Sequence, residues 1–409
     1  MSEPHLVRRR HVFYVAGYDP QGTEGYFALF RREFERFKKL WPIRGTLTPP
    51  EVEAGAHAAT WKIETEAPNW KVSATYEFLD WGDIIRRDIA RPMSWSLPRV
   101  LLWLVSIVFS GTLFRTFYFS WRFGAFVLFS IIALAAWIAA AAAAGWLVWR
   151  ILSGPLGLPC VIAGIAGLIC AVLLFDALRP VTDRWYVNHL IKAWLFIFDY
   201  VAGRRSDFEQ RMEKFATRLV AAVRAGGADE IVVVGHSQGA VWTLLVVEKA
   251  LAIDPDLGRR GVRVVLMTIG SHIPFVGAHP GATAIHGVIR RLAMETGVLW
   301  IDYQSRQDVF NFYKTHPVAD LGIDAGTKPP NPVIVHVNLR EMLTPEAFAR
   351  FRWNFFRVHF QFIMANDRPA RYDYFLFLCG PLPLSFWVKR GISTGDAYNS
   401  DSSLRPEFK

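Results

Sequence analysis

The stretch "IVVVGHSQGAVWTLLVVEKAL", Ile231 to Leu251, sets four apolar β-formers directly before Gly235-His236-Ser237-Gln238-Gly239 and a helix-like apolar run directly after it. A strand that enters a sharp turn and leaves as a helix is the local unit of a parallel sheet, because parallel strands need a crossover between them. Gly235 and Gly239 suit that turn, since neighbouring chain can approach them where a Cβ would clash. The geometry lifts the Ser237 hydroxyl above the sheet at a helix amino terminus, where the dipole favours developing negative charge. The competing reading is a glycine-rich turn with an incidental serine.

Outward from this stretch the pattern repeats. Upstream, Ser206-Asp207-Phe208-Glu209 has the form of a capping box, followed by Met212, Phe215, Leu219 and Val223 on one helical face and Gly226-Gly227 as a stop. Downstream, strands are predicted at Val262 to Ile269, Val298 to Tyr303 and Val333 to Val337, with helices at Ala284 to Thr296 and Pro345 to Ile363. Near the amino terminus "HVFYVAG" reads as a buried strand, and Glu24 to Trp41 as an amphipathic helix carrying Phe27, Phe30, Phe34 and Phe37. "ATWKIET" and "KVSATYEFLDW" alternate as strands do. Strands alternating with helices predict the α/β class, with a mainly parallel sheet covered on both faces. From Gly380 onward proline and polar residues suggest a loosely ordered tail.

The middle of the chain has a different character. Hydrophobic residues make up 52% of the whole and mean hydropathy is +0.20, with the excess concentrated between Val100 and Phe175. Phe123 to Trp149 and Ile151 to Phe175 are uncharged and each exceeds the ~20 residues a helix needs to span a bilayer. "SGPLGLP" after Arg150 suits a tight helical hairpin, and Trp146 and Trp149 suit an interfacial belt. The alanine-rich "AAWIAAAAAAGW" allows close helix packing. Val100 to Trp121 is weaker, because Arg115 interrupts it, and with two crossings it becomes an interfacial or re-entrant helix. A buried core helix is the alternative for these segments, yet core helices rarely run so far without a charge.

If the first strand and the Ser237 region form one domain, the number of crossings is even. Two is the simplest choice, with three left open if the single-domain premise fails. Arg150 alone then lies on the far side, while Arg86, Arg87, Arg91, Arg99, Arg115, Arg122, Arg179 and Arg184 stay on the domain side. Positive-inside bias places that domain in the cytoplasm, on a cytoplasmic or inner membrane. The expected organisation is a first part of the domain over 1–99, a membrane region over 100–178, a second part over 179–379 and a tail over 380–409.

Net charge is +10 with pI near 9.6, but the arginines are scattered or flank apolar segments, which argues for a membrane surface and against nucleic acid. Cys160, Cys170 and Cys379 make neither a disulfide framework nor a metal-ligand cluster. No phosphate-binding glycine loop is present, so neither metal nor cofactor is expected. The short apolar run at the start ends at Gly17-Tyr18-Asp19-Pro20, so no cleaved export signal is expected there.

Around Gly235, His236, Ser237, Gln238 and Gly239 the chain resembles the α/β-hydrolase family, in its lipase- and esterase-like members. The resemblance covers Arg10 to Trp81 and Arg204 to Leu378 and omits the membrane block. It implies a triad in the chain order serine, acid, histidine. "VLWIDYQSRQDVFNF" supplies Asp308 just beyond a strand, favoured over Asp302, which falls within it. "FFRVHFQFIMANDRPARYDYF" supplies His359, after the final strand; His336 lies inside that strand, and His316 and His272 come early. "TIGSHIP" resembles the turn after a neighbouring strand, so His272 is expected to line the site. An oxyanion hole is implied between the backbone N–H groups of Gln238 and Tyr18, the latter in "AGYDPQG" with Gly17 permitting close approach. This loop departs from the His-Gly pattern common in esterases. A loop-capping carboxylate at Asp308 and a structural histidine at 359 are the plainer readings of the same residues.

The expected activity is that of a membrane-anchored serine hydrolase acting on an acyl ester, a lipid or another carboxylic ester, with membrane lipids as its surroundings and no protein partner identifiable. A thioesterase, acyltransferase or amidase would use the same triad. The alternative is a catalytically silent, membrane-tethered binding or assembly module. A transporter is disfavoured, because neither strong span carries an internal charge.

Overall fold

The computed structural model describes residues 5–408 except residue 54. The chain divides into two compact units, one formed by Met1–Asp83 with Arg205–Lys409 and the other by Ile84–Arg204.

The first unit is an α/β structure. Among the described residues its strands are β1 (Arg9–Val15), β2 (Arg44–Leu47), β3 (Glu51–Glu53), β4 (Ala58–Ala67), β5 (Trp70–Leu79), β6 (Glu230–His236), β7 (Arg263–Ile269), β8 (Val298–Ser305) and β9 (Val333–Val337). They form one mixed sheet in the order β2-β4-β5-β1-β6-β7-β8-β9, with β3 paired to β4. The six strands from β5 across to β9 run parallel, while β2, β3 and β5 each pair with β4 antiparallel. The continuous apolar run of Ile231 to Val234 follows from position: β6 is central and buried along its whole length. β4 and β5 alternate instead, because only one of their faces is fully covered.

The helix expected at Glu24 to Trp41 runs Gly22–Leu40. Phe30, Phe34 and Phe37 are buried against Phe375, and the partly buried Phe27 packs edge-on against Trp61. Each such ring contributes on the order of 1.5–3 kcal/mol by leaving water. Helix Ser206–Ala225 ends at Gly226 in the left-handed conformation (φ +64°), as its glycines predict. The capping box expected at Ser206 does not form, because Ser206 already lies inside the helix and Arg205 holds the cap position with no side-chain cap. The expected helix over Pro345 to Ile363 is broken into Pro345–Phe351, Phe355–Phe360 and a short 3₁₀ turn, with Asn354 capping the second piece.

The expected tail is part of the core. Helix Leu384–Arg390 follows Pro383 and stops at Gly391 (φ +59°), and Ser393 with Asp396 forms a capping box for Thr394–Ala397. Leu382, Leu384, Trp387, Tyr398 and Leu404 are buried. Pro383 stands directly before a helix and Pro381 accepts the N–H of Val7, so neither marks disorder. Arg10, at the start of β1, donates to Gly380 O and Leu382 O and pairs with Glu230 of β6, fixing this segment to the sheet.

The second unit is helical and wider than the membrane region expected at 100–178. It begins at Ile84 and takes in the buried helix Val187–Val201, whose Trp194 meets Phe123 and Phe126. Two helices, Trp121–Ser153 and Cys160–Asp183, are long and apolar enough to cross a membrane. The first includes Arg150 in its last turn, and the second starts at Cys160 instead of Ile151, because the glycines and prolines of "SGPLGLP" interrupt the helix only after Ser153. Gly145 and Gly167 meet backbone to backbone: a Cβ on Gly145 would stand 2.5 Å from Gly167 O. Trp137 donates to Phe175 O at 2.8 Å. The weaker segment, Val100 to Trp121, is two short helices, Leu97–Phe109 and Thr112–Phe119, broken at Gly111 (φ +74°).

Candidate active site

The carboxyl ends of the parallel strands in the first unit gather the residues singled out above. β6 ends at His236 and helix Gly239–Ile253 begins three residues later, leaving Ser237 at φ +61°. A non-glycine residue pays strain in that region, and such strain concentrates where a side chain must be aimed. The turn is held from both sides. Ser237 N donates to Ile269 O (3.0 Å), and His272 N donates to Ser237 O (3.3 Å). A Cβ at Gly235 would stand 2.6 Å from the Cα of Ala240, and one at Gly239 would run into Val15 O and Ala16 O. Both glycines are therefore required by the turn. Ser237 is half-buried, whereas Gly235, His236, Gln238 and Gly239 are buried.

Asp308 and His359, separated by 51 residues in sequence, meet. Asp308 Oδ2 lies 2.7 Å from His359 Nδ1, with both side chains buried, and Asp308 Oδ1 accepts the backbone N–H of Phe310. The imidazole is clamped between His236, stacked at 4.4 Å, and Phe310, edge-on at 5.2 Å. Its Nε2 is buried and has no hydrogen-bond partner. Gly270 (φ +56°) makes the clamp possible, because a Cβ there would stand 2.8 Å from His359 Cε1 and 3.1 Å from Nδ1.

Ser237 Oγ lies 3.4 Å from Nε2 of His272, not in hydrogen-bond contact with His359. His272 precedes helix Ile273–Gly277, and its ring lies roughly parallel to that of His359 at 6.1 Å. Burial, and then the nearby His359, hold the His272 imidazole well below its usual range; the same two causes lower His236. Both rings are neutral at ordinary pH.

Gln238 is the residue after the serine, at the helix amino terminus, and Tyr18 is buried in the loop after β1. Gly17 brings that loop against the nucleophile: a Cβ there would stand 2.9 Å from Ser237 Cβ. Trp81 Nε1 braces the loop by donating to Ala16 O (3.0 Å). Asp302, the competing acid, accepts from Thr268 Oγ1 (2.6 Å) and Gln304 Nε2 (2.9 Å), and burial pushes its carboxyl up to about 6. His336 is exposed beside Tyr313, and His316 accepts the backbone N–H groups of Val318 and Ala319. Gly270 was legible only as the glycine of "TIGSHIP", and nothing in the sequence placed Phe310 against the histidine. Among the described residues no group of three His, Cys, Asp or Glu side chains is placed to hold a metal ion.

No known protein family matches the chain, nor does any curated protein or solved structure.

Proposed function

We propose that the chain is a membrane-anchored serine hydrolase of the α/β-hydrolase type that cleaves an acyl ester through Ser237, His359 and Asp308. The observation that carries this reading is the buried Asp308–His359 pair with the far nitrogen of the imidazole unpartnered, beside a serine held at positive φ. A histidine oriented by a carboxylate through Nδ1 presents Nε2 as a base, and the carboxylate stabilises the imidazolium that forms.

The reaction follows from these roles. The Ser237 hydroxyl turns from His272 to His359, gives up its proton to Nε2 and attacks the acyl carbonyl. The tetrahedral oxygen is held by the backbone N–H groups of Gln238 and Tyr18, donors worth about 10²- to 10³-fold each in such sites. The alcohol departs with the proton from His359. Water, deprotonated by the same imidazole, then releases the acid and restores the serine.

The two apolar helices support anchoring, and arginines flanking the hairpin, against Arg150 alone near its tip, support a cytoplasmic position for the hydrolase unit. Proximity to lipid favours a lipid or other carboxylic ester as substrate. A second reading has its own observation: the 3.4 Å Ser237–His272 contact would make His272 the base.

The test is fluorophosphonate labelling of detergent-solubilised protein. Wild type is expected to label, Ser237→Ala not at all, and Asp308→Asn and His359→Ala far more slowly. Folded wild type that does not label would move the assignment to a silent binding module. Labelled wild type is then assayed with short- and long-chain esters.

A further inference from the structure

Helix Leu97–Phe109 presents two apolar faces. Val100, Trp103 and Ile107 are buried within the protein, while Leu101, Leu102, Val105, Val108 and Phe109 are exposed on the opposite side. At 100° per residue the exposed set occupies an arc of about 120°, so it is a continuous stripe, not a scatter. Helix Thr112–Phe119 continues the pattern. Thr112 and Thr116 are buried, and Phe114 and Tyr118, one turn apart, are 70% and 87% exposed. The two helices pack on each other across the Gly111 turn, and Ser120 leads directly into the long helix Trp121–Ser153.

An exposed apolar surface of this extent is unfavourable in water. Its composition is that of the outward face of the second hairpin helix, where Val161, Ile165, Leu168 and Leu173 are exposed in the same way. Its margins differ. Arg115 is exposed beside the stripe, Arg99 is ion-paired to the buried carboxylate of Asp199, and Trp95 and Trp121 stand exposed at either end. Exposed leucine and phenylalanine bordered by arginine and tryptophan match the boundary between acyl chains and anionic headgroups.

Neither helix alone is long enough to cross. Thirteen and eight residues give helices of roughly 20 Å and 12 Å, against a hydrocarbon thickness of about 30 Å. The preceding helix, Gly82–Ala90, meets the segment Ser94–Phe109 at a bend of 101°, and a broken span made from the pair would carry Asp83, Arg86, Arg87 and Asp88 into the bilayer, which disfavours it.

We infer that Leu97–Phe109 and Thr112–Phe119 form a wedge embedded in one leaflet of the membrane, beside the spanning hairpin, with the exposed stripe in the acyl chains and Arg115 at anionic headgroups. The inference rests on the reading of the hairpin as membrane-spanning, and leaves the number of crossings at two.

Single cysteines test it in full-length protein carrying Cys160→Ser and Cys170→Ser, Cys379 being buried. Val105→Cys, Phe109→Cys, Phe114→Cys and Tyr118→Cys, with Leu168→Cys as the hairpin reference, are each labelled with a small fluorophore. The proteins are reconstituted into phosphatidylcholine–phosphatidylglycerol vesicles whose chains carry bromine near the glycerol or near the chain end. For a wedge, all four positions are quenched about twofold or more strongly by the shallow bromines, and Leu168 by the deep ones. Deep quenching at Val105 or Phe109 would make the segment a crossing and overturn the inference. Unquenched wedge positions with a quenched Leu168 would mean that water, a second copy or another protein covers the stripe, and would overturn it while leaving the anchor standing. An unquenched Leu168 would remove the anchor itself.

Discussion

Ser237 Oγ is 3.4 Å from Nε2 of His272, an imidazole on the turn after β7 that burial holds neutral. The hydroxyl thus rests on His272 and not on the imidazole that Asp308 orients. One neutral hydrogen bond is worth about 1 kcal/mol, so releasing it is expected to quicken fluorophosphonate labelling of His272→Ala about fivefold. His359→Ala is expected to slow labelling by about 10²- to 10⁴-fold. The reverse pattern, loss in His272→Ala with His359→Ala spared, would assign the base to His272.

Gly270 touches the same histidine from the other side. Gly270→Ala places a methyl group 2.8 Å from His359 Cε1 at a backbone φ of +56° that alanine adopts with strain. The imidazole must shift by several tenths of an ångström, and misplacement on that scale erodes proton transfer. Labelling is expected to fall at least about tenfold, with a cost of roughly 1–2 kcal/mol in stability. Full labelling with a normal unfolding temperature would show that the clamp on His359 is loose.

The buried imidazoles also predict how stability depends on pH. In the unfolded chain His236 and His272 titrate near 6.5, whereas in the fold burial holds both well below it. Below about pH 6.5 the unfolded state therefore takes up protons that the folded state refuses. Stability is fully present above that pH and declines as pH falls towards the folded values, by up to about 1.4 kcal/mol per pH unit for each group. Thermal unfolding in detergent between pH 7.5 and 5.5 measures the slope, and His272→Gln is expected to flatten it. An unchanged slope in that variant would mean that His272 is protonated in the fold.

Arg10 and Glu230 form a pair with both side chains fully buried, and Glu230 Oε1 also accepts the N–H of Leu384. Arg10→Met strands the carboxylate and frees the carbonyls of Gly380 and Leu382, at an expected cost of about 3–5 kcal/mol. Adding Glu230→Leu is expected to recover part of the loss, because the isolated charge is what costs most. Protease sensitivity beyond Cys379, read alongside the unfolding temperature, reports whether the carboxyl-terminal segment is released.

The Gly-His-Ser-Gln-Gly strand-turn-helix and the three strands after it were legible because a buried parallel strand and a sharp turn each constrain composition strongly. Asp308 and His359 were reachable only through the serine-acid-histidine chain order that the α/β-hydrolase resemblance implies. What the sequence did not carry was the pairing of Ser237 with His272, since hydrogen-bond choice between two nearby imidazoles is settled by tertiary packing. The carboxyl-terminal segment was misread because Pro381 and Pro383 look like breakers until Leu382, Leu384 and Trp387 are seen to be buried. The helical unit reaches beyond the apolar block because Val187–Val201, which carries Asn188, Lys192 and Asp199, packs into it although it is not a membrane span.

The sheet has a seam in time as well as in space. β1, β4 and β5 are complete within the first 79 residues, yet β1 pairs on its other edge with β6, Arg10 against Glu230, and both apolar helices are made in between. At ~5–20 residues per second a ribosome leaves that edge unpaired for on the order of ten seconds or more. Ser237 and Gly17 lie on opposite sides of this seam. The candidate site therefore comes into being only after the hairpin has been synthesised, and a chain interrupted within the hairpin lacks one side of it whichever half it retains.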